Sequence, residues 1–127
     1  MITELKKYDN GIFEVVANGE MALDDLAKVR EFIDGMVADC KDKHCKLFGC
    51  VKLNNVSIPK IEFFQKDLGF IDKYKSYIGG MAIIGDEKWE KAWFQFVSNL
   101  VDVKIKFFAK KAKSRAKKWL DSLVGSA

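Results

Sequence analysis

The sequence predicts an α/β domain in which an N-terminal β-hairpin precedes alternating strands and helices. Short apolar runs typical of strands alternate with longer segments whose apolar residues repeat at helical spacing. One run, Tyr77–Gly85, is almost wholly apolar, which indicates an interior strand covered on both faces. A chain of 127 residues suits one domain, so we expect residues 1–127 to form a single unit. The expected architecture is a five-stranded mixed sheet with four main helices.

The predicted strands begin with the hairpin. Its two strands are "ITELKK" and "IFEVVANG", and the turn residues Asp9, Asn10 and Gly11 lie between them. The later strands are "CKLFGCVKL", "YIGGMAIIG" and "VKIKFF". A helical segment precedes each of these later strands. The connections after the hairpin are therefore expected to be right-handed parallel crossovers.

The predicted helices run from Ala22 to Cys40, from Ser57 to about Lys73, from Glu87 to Val101 and from about Ala109 to Val124. Ser57 and Pro59 suit the start of the second helix, because serine caps helices and proline is tolerated in the first turn. Asp86, which directly follows the fourth strand, is expected to cap the third helix.

The third helix carries one clear apolar stripe, which we expect to pack against the sheet. Phe94 and Val101 lie outside this stripe. The members of the stripe repeat at helical spacing and are Trp89, Ala92, Trp93, Phe96, Val97 and Leu100.

The second helix carries two apolar stripes. Ile61, Phe64, Leu68 and Ile71 form the stripe expected to face the sheet, and Phe63, Phe70 and Tyr74 form another on the opposite side. A surface helix needs only one such stripe, so the second faces a neighbouring helix, a ligand, a second subunit or a bilayer surface. We predict a ligand-binding set on these two helices, consisting of Phe63, Phe70, Tyr74, Trp89 and Phe94.

Positive charge is concentrated near the end of the chain. The net charge is only +4, but Val103–Lys118 contains many lysines and no acidic residue. Such a run is either a solvated face or a surface for an anionic membrane. Nucleic acid is not expected as a partner, because no exposed aromatic residue for base stacking lies among the cations. The predicted membrane-facing side chains are Lys110, Lys111, Lys117 and Lys118.

The sequence offers no catalytic or metal site and implies no cofactor. The only histidine, His44, is adjacent to Cys45, but neighbouring residues on an extended chain point in opposite directions. The spacing of Cys40, Cys45 and Cys50 does not match a zinc site. The N-terminal "MITELKKYDN" lacks the apolar stretch of a signal peptide. We therefore expect reduced thiols in a cytoplasmic protein.

The order of elements over nearly the whole chain, together with short motifs in its second half, resembles the SpoIIAA-like single-domain proteins. The resemblance is carried by "MAIIGDEKWEKAW", then "VKIKFF", then "AKKWL". It implies the architecture shared by STAS domains and CRAL-TRIO lipid carriers, with an apolar pocket between the sheet and mobile helices. The STAS phosphoacceptor motif is absent: "NNVSIPK" offers only Ser57, which neither follows an Asp nor precedes a Gly.

These observations favour a non-enzymatic binding module for a small apolar or lipid-like ligand, with peripheral association at the inner face of an anionic membrane. The alternative is a regulatory STAS-type module that docks a protein partner or forms a homodimer through the same aromatic surface. The two hypotheses differ in whether the aromatic residues enclose a cavity or form an exposed surface.

Overall fold

The computed structural model describes residues 1–8, 10–40, 45–57 and 61–126, and the predicted order of strands and helices is confirmed in these ranges. Short 3₁₀ turns, Lys75–Tyr77 and Lys110–Ala112, precede the fourth strand and the last helix. The strands are β1 (Ile2–Lys7), β2 (Ile12–Asn18), β3 (Leu47–Asn54), β4 (Ile78–Gly85) and β5 (Ile105–Ala109), and the helices are α1 (Leu23–Ala38), α2 (Ile61–Tyr74), α3 (Lys88–Val101) and α4 (Lys113–Ser126).

The five strands form one mixed sheet in the order β1-β2-β3-β4-β5. β1 and β2 are antiparallel, as the predicted hairpin requires, and every later pair is parallel. The register places Val15, Val51, Ile83 and Phe107 side by side across four strands. Because side chains alternate along each strand, this row marks one face of the sheet.

Helices α1, α2 and α3 lie on that face, and α4 covers the other face. Each of the three crossovers after β2 advances by one strand in the same direction. Crossovers of one hand and one direction put their helices on the same side of the sheet. α4 follows the last strand and makes no crossover, so it is free to pack against the opposite face. Within the layer of three helices, α2 rests mainly on α1 and α3 rather than directly on the strands.

The predicted orientation of α3 is wrong by part of a turn. Val97 and Val101 are buried, at 0% and 6% exposure, whereas Phe96 and Leu100 are 53% and 57% exposed. Phe94, expected outside the core stripe, packs on the cluster that contains the buried Ile83. The inward face of α3 is thus centred on an acidic residue, Glu90, which is only 1% exposed. Because Glu90 is acidic, the spacing of apolar residues alone does not identify this face of α3 as the buried one.

Asp86 does not cap α3, contrary to the prediction. The N-cap position belongs to Glu87, whose backbone N–H donates to Glu90 Oε1 at 3.0 Å. Asp86 instead accepts a hydrogen bond from the backbone N–H of Lys110 at 3.3 Å, and its carboxylate lies 3.8 Å from Lys110 Nζ. Asp86 therefore links the end of β4 to the turn before α4. Ser57 precedes the start of α2, and the predicted first-turn residue Pro59 lies outside the described residues.

The expectation of three reduced thiols is also wrong. Cys40 and Cys45 form a disulfide with their Cα atoms 5.8 Å apart, while Cys50 is free and half-buried in β3. The disulfide joins the residues just after α1 to those just before β3, which the return of the chain to the sheet brings together. His44, between the two, lies outside the described residues.

The orientation of α3 predicts different energetic costs at two adjacent positions. We expect Val97→Ala to reduce the free energy of unfolding by about 2 kcal/mol, because it removes buried methyl groups and leaves a cavity. Phe96→Ala should cost less than about 1 kcal/mol, because most of the phenyl ring already contacts solvent. Urea denaturation of both variants is the measurement. A greater loss for Phe96→Ala would contradict this orientation of the helix.

Candidate ligand-binding cavity

An apolar cavity lies between the sheet and the layer formed by α1, α2 and α3. Its volume is about 110 Å³. Alternating residues of β2, namely Phe13, Val15 and Ala17, contribute to the floor, as do Val51 of β3 and Met81 of β4. The cavity follows from the position of α2, which spans its two neighbours and leaves space above the middle of the sheet. Leu26, Val29 and Ile33 of α1 close one side.

Aromatic side chains from α2 and α3 form the opposite wall of the cavity. The ring centroids of Phe64 and Trp93 are 4.7 Å apart, and those of Phe64 and Trp89 are 5.9 Å apart. These distances are typical of packed aromatic pairs. Six aromatic residues of the two helices line the cavity: Phe63, Phe64, Phe70, Trp89, Trp93 and Phe94.

The structure brings together four members of the predicted ligand-binding set and separates the fifth. Phe63, Phe70, Trp89 and Phe94 all line the cavity. Tyr74 does not line it but is buried in the core beside α1, where its hydroxyl donates a hydrogen bond to Asp34. Tyr74 thus fastens α2 to α1.

The two stripes predicted on α2 do not face opposite directions. Phe63 and Phe64, one from each stripe, both reach the cavity, and so do Phe70 and Ile71. These residues belong to a single broad face whose central residue is Asp67. Sequence reasoning missed Asp67 because an acidic residue divides the apolar pattern into two apparent stripes. The sequence did contain a signal for it. The residues three and four positions before Asp67, and those three and four positions after it, are all aromatic or aliphatic.

Asp67 is the one titratable residue that lines the cavity in the described part of the chain. Its Oδ2 accepts a hydrogen bond of 2.8 Å from the indole N–H of Trp93, which connects α2 to α3. Burial in these apolar surroundings raises the pKa of Asp67 to about 6, although the hydrogen bond from Trp93 opposes the shift. The carboxyl group is therefore poised to change its charge near neutral pH.

Glu90 is more deeply buried than Asp67 and has a different environment. Its side chain packs against Gly85 so closely that a Cβ atom at position 85 would overlap the carboxyl group. Burial raises the pKa of Glu90, although its hydrogen bonds to backbone N–H groups at the start of α3 oppose the shift. Oε2 has no hydrogen-bond partner among the described residues. Glu90 does not line the cavity, and its contacts join the end of β4 to the start of α3.

The predicted lysine set lies on the other side of the sheet. α4 packs on the face that carries Phe48, Ala82 and Ile84, whereas the aromatic residues lie over the opposite face. Lys111, Lys117 and Lys118 are exposed, as expected. Lys110 is not a free outward cation, because it is half-buried and paired with Asp86. The aromatic and basic sets therefore do not form one joint surface.

A groove of about 700 Å³ runs beside α4 on this second face. Lys113 and Lys117 contribute to its rim, and Cys50 lies within it. Across the groove, the carboxylate of Glu14 pairs with Lys52 and accepts a hydrogen bond from the Tyr8 hydroxyl. Burial and the neighbouring Glu14 carboxylate raise the pKa of the Cys50 thiol, which disfavours the reactive thiolate.

The described ranges contain neither a candidate metal site nor a candidate membrane span. No group of three or more His, Cys, Asp or Glu side chains there is arranged to hold a metal ion. None of the helices in those ranges has the length and apolar character needed to cross a bilayer.

The SpoIIAA-like family model matches residues 12–121, which include β2 to β5, α1 to α3 and the first nine residues of α4. The chain belongs to the SpoIIAA-like family. The matched range contains the Gly-Asp and Lys-Trp motifs and the final "AKKWL" on which the sequence resemblance was based.

A solved structure shares this fold. It is the crystal structure of an uncharacterized protein from the DUF3478 family with a SpoIIAA-like fold, from Shewanella loihica PV-4. The two proteins are 17% identical, with a TM-score of 0.67, and the alignment covers 94% of this chain and 92% of that one. No curated protein matches the chain. At this identity the likeness establishes the fold alone.

The raised pKa of Asp67 predicts a specific dependence of stability on pH. The folded state binds the proton more tightly than the unfolded state does, so the contribution of this group is most favourable below about pH 4. It should decline as the pH rises through about 6, by at most about 3 kcal/mol. Asp67→Asn should remove this decline, whereas Asp72→Asn, an exposed change on the same helix, should retain it.

The measurement is urea denaturation of the wild type and both variants between about pH 4 and pH 8. The informative quantity is the difference between each variant and the wild type, because other groups titrate in the same range. Parallel pH profiles for Asp67→Asn and the wild type would show that Asp67 is not titrating in an apolar environment.

Proposed function

We propose that this SpoIIAA-like domain is a non-enzymatic binding module that holds a small apolar molecule in the cavity beneath α2. The observation that carries the proposal is the cavity itself, whose walls from the sheet and three helices are apolar and carry, among the described residues, a single carboxyl group. Apolar cavities of this kind stay dry and take up apolar ligands. The family assignment, which suggests a STAS-type module, is compatible with a binding role.

The cavity volume limits the size of the ligand. A cavity of roughly 150 Å³ admits benzene, whereas drug-sized ligands occupy pockets of roughly 300–1,000 Å³. The observed volume of about 110 Å³ therefore suits a compact molecule or the end of an alkyl chain. A longer lipid-like ligand requires α2 to move away from the sheet. Gly69 lies on the exposed side of α2, and its low helix propensity, about 1 kcal/mol below that of Ala, makes it the expected point of bending.

The first test uses toluene as a neutral apolar probe. Toluene at a free concentration ten times its Kd should raise the free energy of unfolding by about 1.4 kcal/mol, which is measured as an increase in Tm. Ala17→Leu places a larger side chain in the cavity and should abolish the increase. Val16→Leu lies on the opposite face of the same strand and should retain it. Native mass spectrometry of the purified protein would identify any molecule already bound.

Circular dichroism must show that both variants fold. Equal Tm increases in Ala17→Leu and Val16→Leu would show that toluene binds elsewhere. The absence of any increase in the wild type, together with the absence of a bound molecule in native mass spectra, would contradict the proposed function.

Peripheral membrane association stays a prediction from the sequence. The cavity-lining aromatic side chains face inward, so apolar insertion would have to come from other residues. The exposed Lys111, Lys117 and Lys118 could contribute about 1 kcal/mol each near an anionic surface, or about two orders of magnitude in affinity. Charge alone would thus give weak, salt-sensitive adhesion.

A second candidate function, protein association, is favoured by the outward face of α3. Phe96 and Leu100 are both exposed, and the Phe96 ring stacks on Trp93 with a centroid distance of 5.9 Å. These two residues lie one helical turn apart and form an apolar ridge. We expect this ridge to mediate formation of a homodimer.

Sedimentation velocity over a range of concentrations tests the homodimer. The wild type should shift toward a dimer at high concentration, and the double change Phe96→Ser and Leu100→Ser should prevent the shift while preserving the circular dichroism spectrum. Ser substitutions at the exposed Gln95 and Asn99 provide a matched control on the same helix. A wild type that remains monomeric at the highest concentration would argue against this function.

A further inference from the structure

The carboxyl group of Asp67 lacks a positively charged partner in the described part of the chain. The surfaces that α1, the sheet and α3 present to the cavity consist of apolar side chains, without another titratable group among the described residues. On α2 itself, Lys66 and Lys73 are exposed. The Lys73 ammonium lies 5.1 Å from the centroid of the Tyr74 ring, and Tyr74 is not part of the cavity.

The single hydrogen bond from Trp93 compensates only part of the cost of an ionised carboxylate in this position. A carboxylate buried among apolar groups is costly unless it is both hydrogen-bonded and paired with a positive charge. The Trp93 indole is a neutral donor and uses Oδ2, which leaves further acceptor capacity on the carboxylate. A positively charged group that enters the cavity would satisfy this capacity.

The surrounding aromatic residues also favour a cation. The face of an aromatic ring attracts positive charge, and Trp is the most effective residue. Among the described residues, two tryptophans and five phenylalanines line the cavity together with Asp67. Clusters of aromatic residues recognise alkylated ammonium groups in proteins, and here the carboxyl group of Asp67 adds a negative charge beside them. The remaining walls are aliphatic and suit the hydrocarbon part of the same molecule.

We propose that the ligand of this cavity is a small apolar amine, bound as its ammonium ion with Asp67 as the counter-ion. This inference rests on the proposed function and specifies the chemical class of its ligand. An alcohol of the same length donates a hydrogen bond but leaves the negative charge of Asp67 uncompensated. A carboxylic acid of that length adds a second negative charge, so the order of affinity is amine, alcohol, carboxylate.

The experiment compares hexylamine, 1-hexanol and hexanoate by isothermal titration calorimetry. At about pH 8 the wild type should bind hexylamine at least about ten-fold more tightly than 1-hexanol, and hexanoate should bind most weakly. In Asp67→Asn, hexylamine and 1-hexanol should bind with affinities within about three-fold of each other, because the charge is gone. Asp72→Asn, which changes an exposed carboxylate on the same helix, should behave like the wild type.

The dependence on pH provides a second measurement. Hexylamine remains protonated throughout the range, as a lysine side chain does. Its affinity for the wild type should fall several-fold between about pH 8 and pH 5 as Asp67 takes up a proton, whereas the affinity of 1-hexanol should change little. In Asp67→Asn the affinity of hexylamine should no longer depend on pH.

The outcomes separate the two proposals. Equal binding of hexylamine and 1-hexanol by the wild type, or unchanged amine binding in Asp67→Asn, overturns the assignment of an amine but leaves the apolar cavity as a binding site. A loss of amine preference in Asp72→Asn also overturns it, because surface charge would then be the cause. Failure of all three compounds and of toluene to bind, together with the absence of a bound molecule in native mass spectra, contradicts the proposed function itself.

Discussion

The arrangement of three crossovers on one face of the sheet is the constraint on which the rest of this structure depends. Strands β2 to β5 follow one another in sequence and in space, so α1, α2 and α3 share one side. The middle helix packs on its two neighbours more than on the strands, which leaves an apolar space beneath it. The cavity is thus a consequence of topology and does not require a specialised loop or an inserted element.

Two acidic residues of this layer, the half-buried Asp67 and the buried Glu90, differ in what compensates their burial. Asp67 lies at the centre of the inward face of α2, and Glu90 lies on the inward face of α3. Glu90 holds the start of α3 through a backbone N–H and packs on Gly85, so its role is to join a strand to a helix. Asp67 makes one bond across the helices and presents its remaining surface to the cavity. Polar groups buried without full compensation are costly to stability and often mark functional sites.

The two faces of the sheet differ in chemistry. The three-helix side encloses aromatic and aliphatic residues, whereas the α4 side carries the exposed lysines and an open groove with the Glu14–Lys52 ion pair. The sheet separates these two regions, and they share no side chain. The proposed occupation of the cavity and the predicted contact of α4 with an anionic surface therefore involve separate sets of residues. Asp86, through its contacts with Lys110, connects the end of β4 to the turn that leads into α4.

The sequence by itself determined the order of elements, the hairpin, the parallel strands and the SpoIIAA-like family, because alternation, turn residues and short motifs act locally. It also placed Phe63, Phe70, Trp89 and Phe94 in one predicted set, and the structure brings these four together. Only the tertiary structure decided the rotation of α2 and α3, the position of α4, the Cys40–Cys45 disulfide and the environment of Asp67. A prediction from apolar periodicity assigns an acidic residue to the solvent-facing side of a helix. It therefore gives the wrong orientation for a helix whose buried face is centred on an acidic residue. The contacts that offset the cost of burying such a residue come from other strands and helices, and they exist only when the chain is folded.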